Sequence, residues 1–188
     1  NQEYVFPYIG GEEVNSSPTH SHHRYVINFG GIAEEEARKY PDLMAIIEEK
    51  IKPERIVLPP KNNWNRTVAV RWWLFGADRV NLRQAIEPLD RVLVCCIVSK
   101  YLSFAFLDSN MVYSHKLDVF SLENYSSFTI LQSRIHEYFA WFFSSTMKDD
   151  LNYSTSDCFQ TFPFPPNWET NPELETIGKS YYEYRAQL

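Results

Sequence analysis

The spacing of apolar side chains divides the sequence into short elements. Arg91-Val-Leu-Val-Cys-Cys-Ile-Val98 is a nearly unbroken apolar run rich in β-branched residues. Lacking polar alternates, it predicts a central strand covered on both faces. Residues 24–29 predict another strand, closed by Gly30-Gly31. Residues 102–107, 111–115 and 117–120 predict shorter ones, with Asp108-Ser-Asn110 as a hairpin turn. Over residues 126–144, Phe128, Leu131, Ile135, Tyr138, Phe139 and Phe142 recur at helical spacing and predict one long, deeply buried helix. A helical pattern over 33–51 is interrupted by Pro41, which suits the first turn of a second helix. Residues 81–86 predict a short helix ended by Pro88, and 172–188 a final, more polar one. The Pro- and Asn-rich stretch 53–67 reads as loop, and Trp72-Trp73-Leu-Phe75 as an aromatic knot. The expected class is α+β: a single domain whose mixed or antiparallel sheet packs against the long apolar helix.

Composition narrows this picture. With 44% hydrophobic and 16% aromatic residues among 188, the chain can bury a real core, which excludes disorder. Cys95 and Cys96 are adjacent and Cys158 stands alone, so the thiols are expected to be reduced and the setting cytoplasmic. The N-terminal stretch has neither the basic nor the apolar segment of a signal peptide, and no membrane span is legible. The first residue is not Met, and the chain reads as a domain excised from a longer polypeptide.

The net charge of −6 argues against a free-standing, non-specific nucleic-acid binder. The charge is uneven, however. Residues 61–100 hold seven bases (Lys61, Arg66, Arg71, Arg79, Arg83, Arg91, Lys100) against three acids. Residues 34–50 hold six acids against three bases.

Several chemistries lack their motifs. There is no Gly-rich cofactor loop, no Asn-Pro-Pro-aromatic amino-methylation motif, no phosphate-binding loop and no G-x-S-x-G. Pro41-Asp42 with Glu48-Glu49-Lys50 mimics the metal-binding PD…ExK pattern of nucleases. Leu43, Ile46 and Ile47 instead give the segment helical spacing, which makes those acids a solvated face. His20, His22 and His23 sit in a Ser/Pro/Thr-rich loop without a companion Cys or carboxylate and read as ordinary loop rather than a metal site.

One stretch stands out, TMKDDLNYSTSDCFQTFPFPP at residues 146–166. Lys148, Asp150 and Asn152 alternate, and their tips differ in hydrogen-bonding character. Behind them, from Phe159 to Pro166, prolines keep an apolar run out of any helix. Varied donors and acceptors ahead of a rigid anchor suit the reading of base edges in a major groove; a solvated surface turn is the plainer alternative.

An ordered series of segments carries a resemblance: Pro7-Tyr-Ile-Gly-Gly-Glu-Glu-Val-Asn-Ser16, Arg24-Tyr-Val-Ile-Asn-Phe29, Glu34-Glu-Glu-Ala-Arg-Lys-Tyr-Pro41, Ile51-Lys-Pro-Glu-Arg55, Arg71-Trp-Trp73, Val98-Ser-Lys100, Tyr153-Ser-Thr-Ser-Asp157 and Phe159-Gln-Thr-Phe-Pro-Phe-Pro165. Over residues 4–166 it resembles the target recognition domain of the MmeI-like (type IIL) restriction-modification enzymes and related adenine-specific DNA methyltransferases. The resemblance implies a DNA target recognition domain over 1–166, followed over 167–188 by a helix or linker toward a helical domain. It implies double-stranded DNA as partner, together with the methyltransferase domain of the same polypeptide, which would use S-adenosylmethionine; this fragment would hold no cofactor, no metal and no catalytic residue.

In that family a segment of the form Glu-x-Arg-x-Arg-Tyr-Ser contributes base-reading side chains. Lys148-x-Asp150-x-Asn152-Tyr153-Ser154 matches it in placement while differing in residue identity. A second reading site of the family falls on His115 and Lys116. Arg66, Arg71, Arg79, Arg83 and Lys100 are the candidates for DNA-backbone contacts. Two other classes remain open: a non-catalytic interaction or scaffolding domain, which the acidic balance favours, and a small enzyme using His115 or His136 as general base. His136 falls on the apolar helix and reads as a core side chain.

Overall fold

The computed structural model describes residues 2–76 and 79–187. In chain order its strands are β1 (Val5–Ile9), β2 (Arg24–Ile27), β3 (Arg91–Cys96), β4 (Val98–Ser99), β5 (Phe104–Asp108), β6 (Val112–Tyr113), β7 (Leu117–Phe120), β8 (Ser145–Met147) and β9 (Asp150–Asn152). Its α-helices are α1 (Gly11–Ser16), α2 (Glu34–Ala37), α3 (Pro41–Lys50), α4 (Lys52–Ile56), α5 (Asn63–Val70), α6 (Val80–Ile86), α7 (Tyr125–Leu131), α8 (Arg134–Phe143) and α9 (Pro172–Arg185). The architecture is α+β, and it divides into two compact units, one holding residues 1–7 and 24–81, the other 8–23 and 82–188.

In the first unit, Phe29, Ala37, Leu43, Met44, Ile47, Trp72 and Leu74 form the core. Pro41 sits in the first turn of α3 as its fixed φ predicts. On that helix Leu43, Met44 and Ile47 point inward, and Glu48 faces out toward Arg38 at 3.1 Å. Asp42 and Glu49 are exposed, so the nuclease-like acids lie on the outer face that the helical spacing implied. The loop expected over 53–67 is a correction: it holds most of α4 and most of α5. The residues that suggested loop start helices instead. Pro53 lies in the first turn of α4, and Asn62 caps α5 by accepting the Asn65 N–H at 2.8 Å. The aromatic knot is core and bracing. Trp73 donates its indole N–H to Ile32 O at 3.0 Å, and the Arg55 guanidinium donates to the carbonyls of Trp72 (2.8 Å) and Leu74.

In the second unit β3 is the centre of an antiparallel sheet ordered β5-β3-β7. Its alternate residues serve two cores, as the unbroken apolar run predicts. Leu93 and Cys95 pack with Phe104, Phe106, Phe120, Phe128 and Leu131. Val92, Val94 and Cys96 pack with Ile9, Val14, Ile86 and Leu117. The end of β1 pairs in parallel with β6 (Tyr8↔Val112), so the strand expected over 111–115 is shorter and leaves residues 114–116 as a turn.

The single long helix expected over 126–144 is also a correction. Gln132 and Ser133 divide it. Ser133 caps α8 by accepting the His136 N–H at 3.2 Å, while the Gln132 side chain turns away to accept the Phe104 N–H at 2.9 Å. The inward face of α8 is His136 and Ala140. Ile135, Tyr138 and Phe142, expected in the core, are 74%, 69% and 80% exposed. Apolar spacing marks a stripe, but packing of the neighbouring elements decides which stripe is covered.

β5 is an edge of its sheet, and unpaired edges invite association. Here side chains close it. Besides Gln132 at the Phe104 N–H, Tyr182 OH accepts the Phe106 N–H at 3.0 Å, and Arg185 donates to Phe104 O at 2.8 Å. Tyr182 and Arg185 come from α9. That helix packs on α7, with Gly178 against the Tyr125 carbonyl and the Thr129 hydroxyl. Glu175 accepts from both the Ser126 N–H (2.8 Å) and its hydroxyl (3.0 Å). Among the described residues no helix is long and apolar enough to cross a membrane.

Candidate functional site

The chemistry-bearing stretch folds as the hairpin β8–β9, the outer part of a three-stranded sheet ordered β4-β9-β8. Pairing of Met147 with Asp150 leaves Lys148 and Asp149 as a two-residue turn. Such turns need a positive φ at their first position, and Lys148 has φ of 58°. A side chain with a Cβ there costs about 1–2 kcal/mol relative to ordinary backbone. The three alternating residues thus divide between two elements: Asp150 and Asn152 lie on β9, and Lys148 projects from the turn.

Leu151 fixes which way the strand faces. It is 1% exposed and belongs to the core beside Tyr153 and Phe104. A slip of one residue would move Leu151 to solvent and a carboxylate inward, so the register is strongly held. Asp150 and Asn152 therefore share the outer face, and so do the residues directly across from them, Met147 and Ser145. Asn152 donates from Nδ2 to Ser145 Oγ at 2.9 Å, which spans that face.

The second candidate pair, His115 and Lys116, occupies the turn between β6 and β7, with both side chains exposed. The buried Ser114 before them anchors the turn. Its N–H donates to Ile9 O at 2.9 Å, and its hydroxyl accepts the Lys116 N–H at 3.3 Å. One residue joins this turn to the hairpin. Ile97, between β3 and β4, donates its N–H to Lys116 O at 3.0 Å and accepts the Tyr153 N–H at 2.7 Å. The two segments, far apart in sequence, thus hang from opposite sides of a single backbone residue.

The base of the hairpin is packed and hydrogen-bonded. Tyr153 OH lies 3.2 Å from His136 Nε2, and His136 Nδ1 lies 2.8 Å from Leu131 O. Leu131 O can only accept, so Nδ1 carries the proton and Nε2 accepts from the tyrosine. Burial lowers the pKa of His136 and raises that of Tyr153, which keeps both neutral. The Phe-Pro run completes the clamp. Phe162 meets the His136 ring edge-on at 4.7 Å, and Phe159 packs on Phe120 at 4.7 Å. Phe159 itself closes a single π-helical turn (Thr155–Phe159), a correction to the non-helical run expected from that residue onward. His136 is thus a satisfied core side chain with no room for substrate chemistry.

The five backbone-contact candidates are shared between the two units. Lys100 is exposed and directly follows Ser99, whose partner on β9 is Leu151. It therefore emerges beside the hairpin. Arg83 is half-buried near Tyr113, and burial lowers its pKa. Arg66, Arg71 and Arg79 belong to the first unit. There Arg66 donates to Asn63 Oδ1 at 2.6 Å. A further base of the stretch, Arg91, lies over the rings of Phe106 (3.9 Å) and Tyr125 (4.3 Å) and serves packing. Sequence reasoning missed Ser145, Met147 and Ile97. The turn residues Lys148-Asp149 carry no Asn-Gly or Gly signal, so the hairpin and its second strand went unseen. Among the described residues no group of three or more His, Cys, Asp or Glu gathers to hold a metal ion.

No curated protein matches the chain. A solved structure of the type IIL restriction-modification enzyme MmeI in complex with DNA is similar in fold, with a TM-score of 0.78 at 19% identity. The match covers 100% of this chain and 24% of that one, so the chain spans about a quarter of the length of the enzyme it resembles. The family model for the target recognition domain of MmeI matches residues 1–166, and the chain belongs to that family.

Proposed function

We propose that the chain reads the sequence of double-stranded DNA for a larger N6-adenine DNA methyltransferase or restriction-modification enzyme. The observation that carries this reading is the double hydrogen bond of Ile97, which brings the 115–116 turn and the β8–β9 hairpin together. Separately each is a polar surface turn. The bonds join the turn to the base of the hairpin, and on this reading Lys148, Asp150, Asn152, His115 and Lys116 would face the DNA together. Guanine offers the O6 and N7 acceptors that a lysine addresses, and cytosine the N4 donor that an aspartate accepts. Lys100 beside the hairpin suits a phosphate, and Arg66, Arg71, Arg79 and Arg83 would add backbone contacts. Methyl transfer from S-adenosylmethionine would fall to another domain of the same polypeptide, in the cytoplasm.

A second reading has one observation in its favour. The exposed Ile135, Tyr138 and Phe142 on α8 suit a protein contact, which fits an interaction domain. The deciding experiment is selection from randomised duplex DNA by the immobilised chain. A short defined sequence should be enriched, and His115→Ala and Lys148→Ala should each relax a different position of it. Recovery of no preferred sequence at any salt concentration removes the reading.

A further inference from the structure

The outer face of the hairpin carries one apolar side chain among its polar ones. Met147 is 55% exposed and lies directly across from Asp150. It stands apart from its neighbours on that face, because Asn152 and Ser145 are hydrogen-bonded to each other, whereas a thioether is at best a weak acceptor. Resting on the reading of this hairpin as a base-contacting element, we infer that Met147 is a further specificity-determining residue, its thioether methyl meeting the C5-methyl of a thymine.

The geometry of paired strands carries the assignment. Directly opposed residues hold their β-carbons about 5 Å apart and project to the same side. Successive base pairs are about 3.4 Å apart. Side chains of opposed residues can therefore address the same base pair or its neighbour. If Asp150 meets one base edge, Met147 reaches the next. In the major groove the C5-methyl of thymine is the apolar feature that an uncharged, polarisable side chain can contact. The buried Leu151 on the other side of β9 holds this face outward, and the Tyr153–His136 clamp holds the strand in place. A flexible side chain on a fixed strand can follow the groove while its register stays set.

The test replaces thymine by deoxyuridine, one position at a time, in the duplex that the wild-type chain enriches. This removes the methyl group and leaves every hydrogen-bonding edge intact. At one position the change should weaken binding by wild type about fourfold, the worth of one buried methyl-sized group. Met147→Ala should bind the thymine duplex correspondingly less well and lose its sensitivity at that position alone, while Met147→Leu should keep most of it. Met147 is exposed, so the alanine variant should melt with wild type. Equal deoxyuridine penalties in wild type and Met147→Ala, no penalty at any thymine, or an enriched sequence without thymine would each overturn Met147 as a reader and leave the hairpin's role standing. If wild type enriches no sequence, the underlying reading fails and this one with it.

Discussion

Tyr153 and His136 meet at 3.2 Å inside the second unit, and this contact ties the base of the hairpin to α8, while the Leu131 carbonyl on the other ring nitrogen sets the tautomer of the histidine. Of the two ring nitrogens one donates to Leu131 and the other accepts from Tyr153, so a proton added to His136 would turn Nε2 from acceptor to donor. The surrounding groups, Cys95, Cys158 and Asp118, raise the tyrosine's pKa further after burial itself, so the hydroxyl stays protonated.

This gives a pH dependence with a definite sign. Burial lowers His136 below the usual histidine value. The unfolded chain therefore takes up a proton as pH falls through about 6.5, while the folded chain does not, and stability drops below that pH. His20 acts in the same direction, lowered by its burial and by Arg185. Urea unfolding at about pH 7.5 and about pH 5.5 should show wild type losing stability in acid, and His136→Gln should show a smaller difference. An unchanged difference in the variant would remove His136 from the account.

Lys148 offers a separation of stability from recognition. Its left-handed backbone costs about 1–2 kcal/mol with a Cβ, and glycine returns about 0.5–1 kcal/mol of that to unfolded-state entropy. Lys148→Gly should therefore be no less stable than wild type, and up to about 1 kcal/mol more stable by thermal unfolding. It should at the same time bind its selected duplex more weakly and discriminate less at one base pair. A stabilised variant with unchanged discrimination would reduce Lys148 to a poorly chosen turn residue.

Exchange of charges along the hairpin should exchange the base it prefers. With Lys148 toward guanine and Asp150 toward the cytosine amino group, Lys148→Glu combined with Asp150→Arg sets acceptor and donor in the opposite order along the groove. The double variant should enrich a sequence inverted from G to C at one position and otherwise like wild type. Either single change should lose about 1–3 kcal/mol of binding, because one edge then faces a group of its own kind. Because the two side chains leave from a turn and from a strand, this exchange tests whether they reach one base pair at all. An enriched sequence identical to wild type would exclude it.

What the sequence disclosed and what it hid follow from the range of the forces involved. The two-faced burial of β3 was legible because every residue from Val92 to Cys96 is apolar, whatever it packs against. The first turn of α3 was legible because Pro41 acts locally. The outward face of Ile135, Tyr138 and Phe142 was not, because it depends on what covers α8, a tertiary matter. α5 was hidden for the opposite reason: Asn62 is equally at home in a loop or as a helix cap, and only the chain's path decides. At the site, residue types pointed to Lys148, Asp150 and Asn152, but the partner strand with Met147 and the bridging Ile97 required the pairing itself. The bases over residues 61–100 follow one another in sequence, yet they belong to two units, and Arg91 among them serves packing.

The C-terminal helix gives the last test, since it bears on where the recognition unit ends. α9 lies beyond the residues that the family model covers, yet Tyr182 and Arg185 satisfy the exposed edge of β5 and Glu175 holds the start of α7. Its approach to α7 depends on Gly178, where a Cβ would collide with the Tyr125 carbonyl and the Thr129 hydroxyl. The hydroxyl can rotate away, but the carbonyl belongs to a helix and cannot. Gly178→Ala should therefore lose about 1–3 kcal/mol despite alanine's better helix propensity. The loss should show as faster hydrogen exchange at the Phe106 amide, which bonds to Tyr182, with little change at Tyr153, whose amide bonds to Ile97. Equal acceleration at both amides would mean that the substitution loosens the whole unit; no loss of stability would mean that α9 is a linker resting on the domain rather than part of its core.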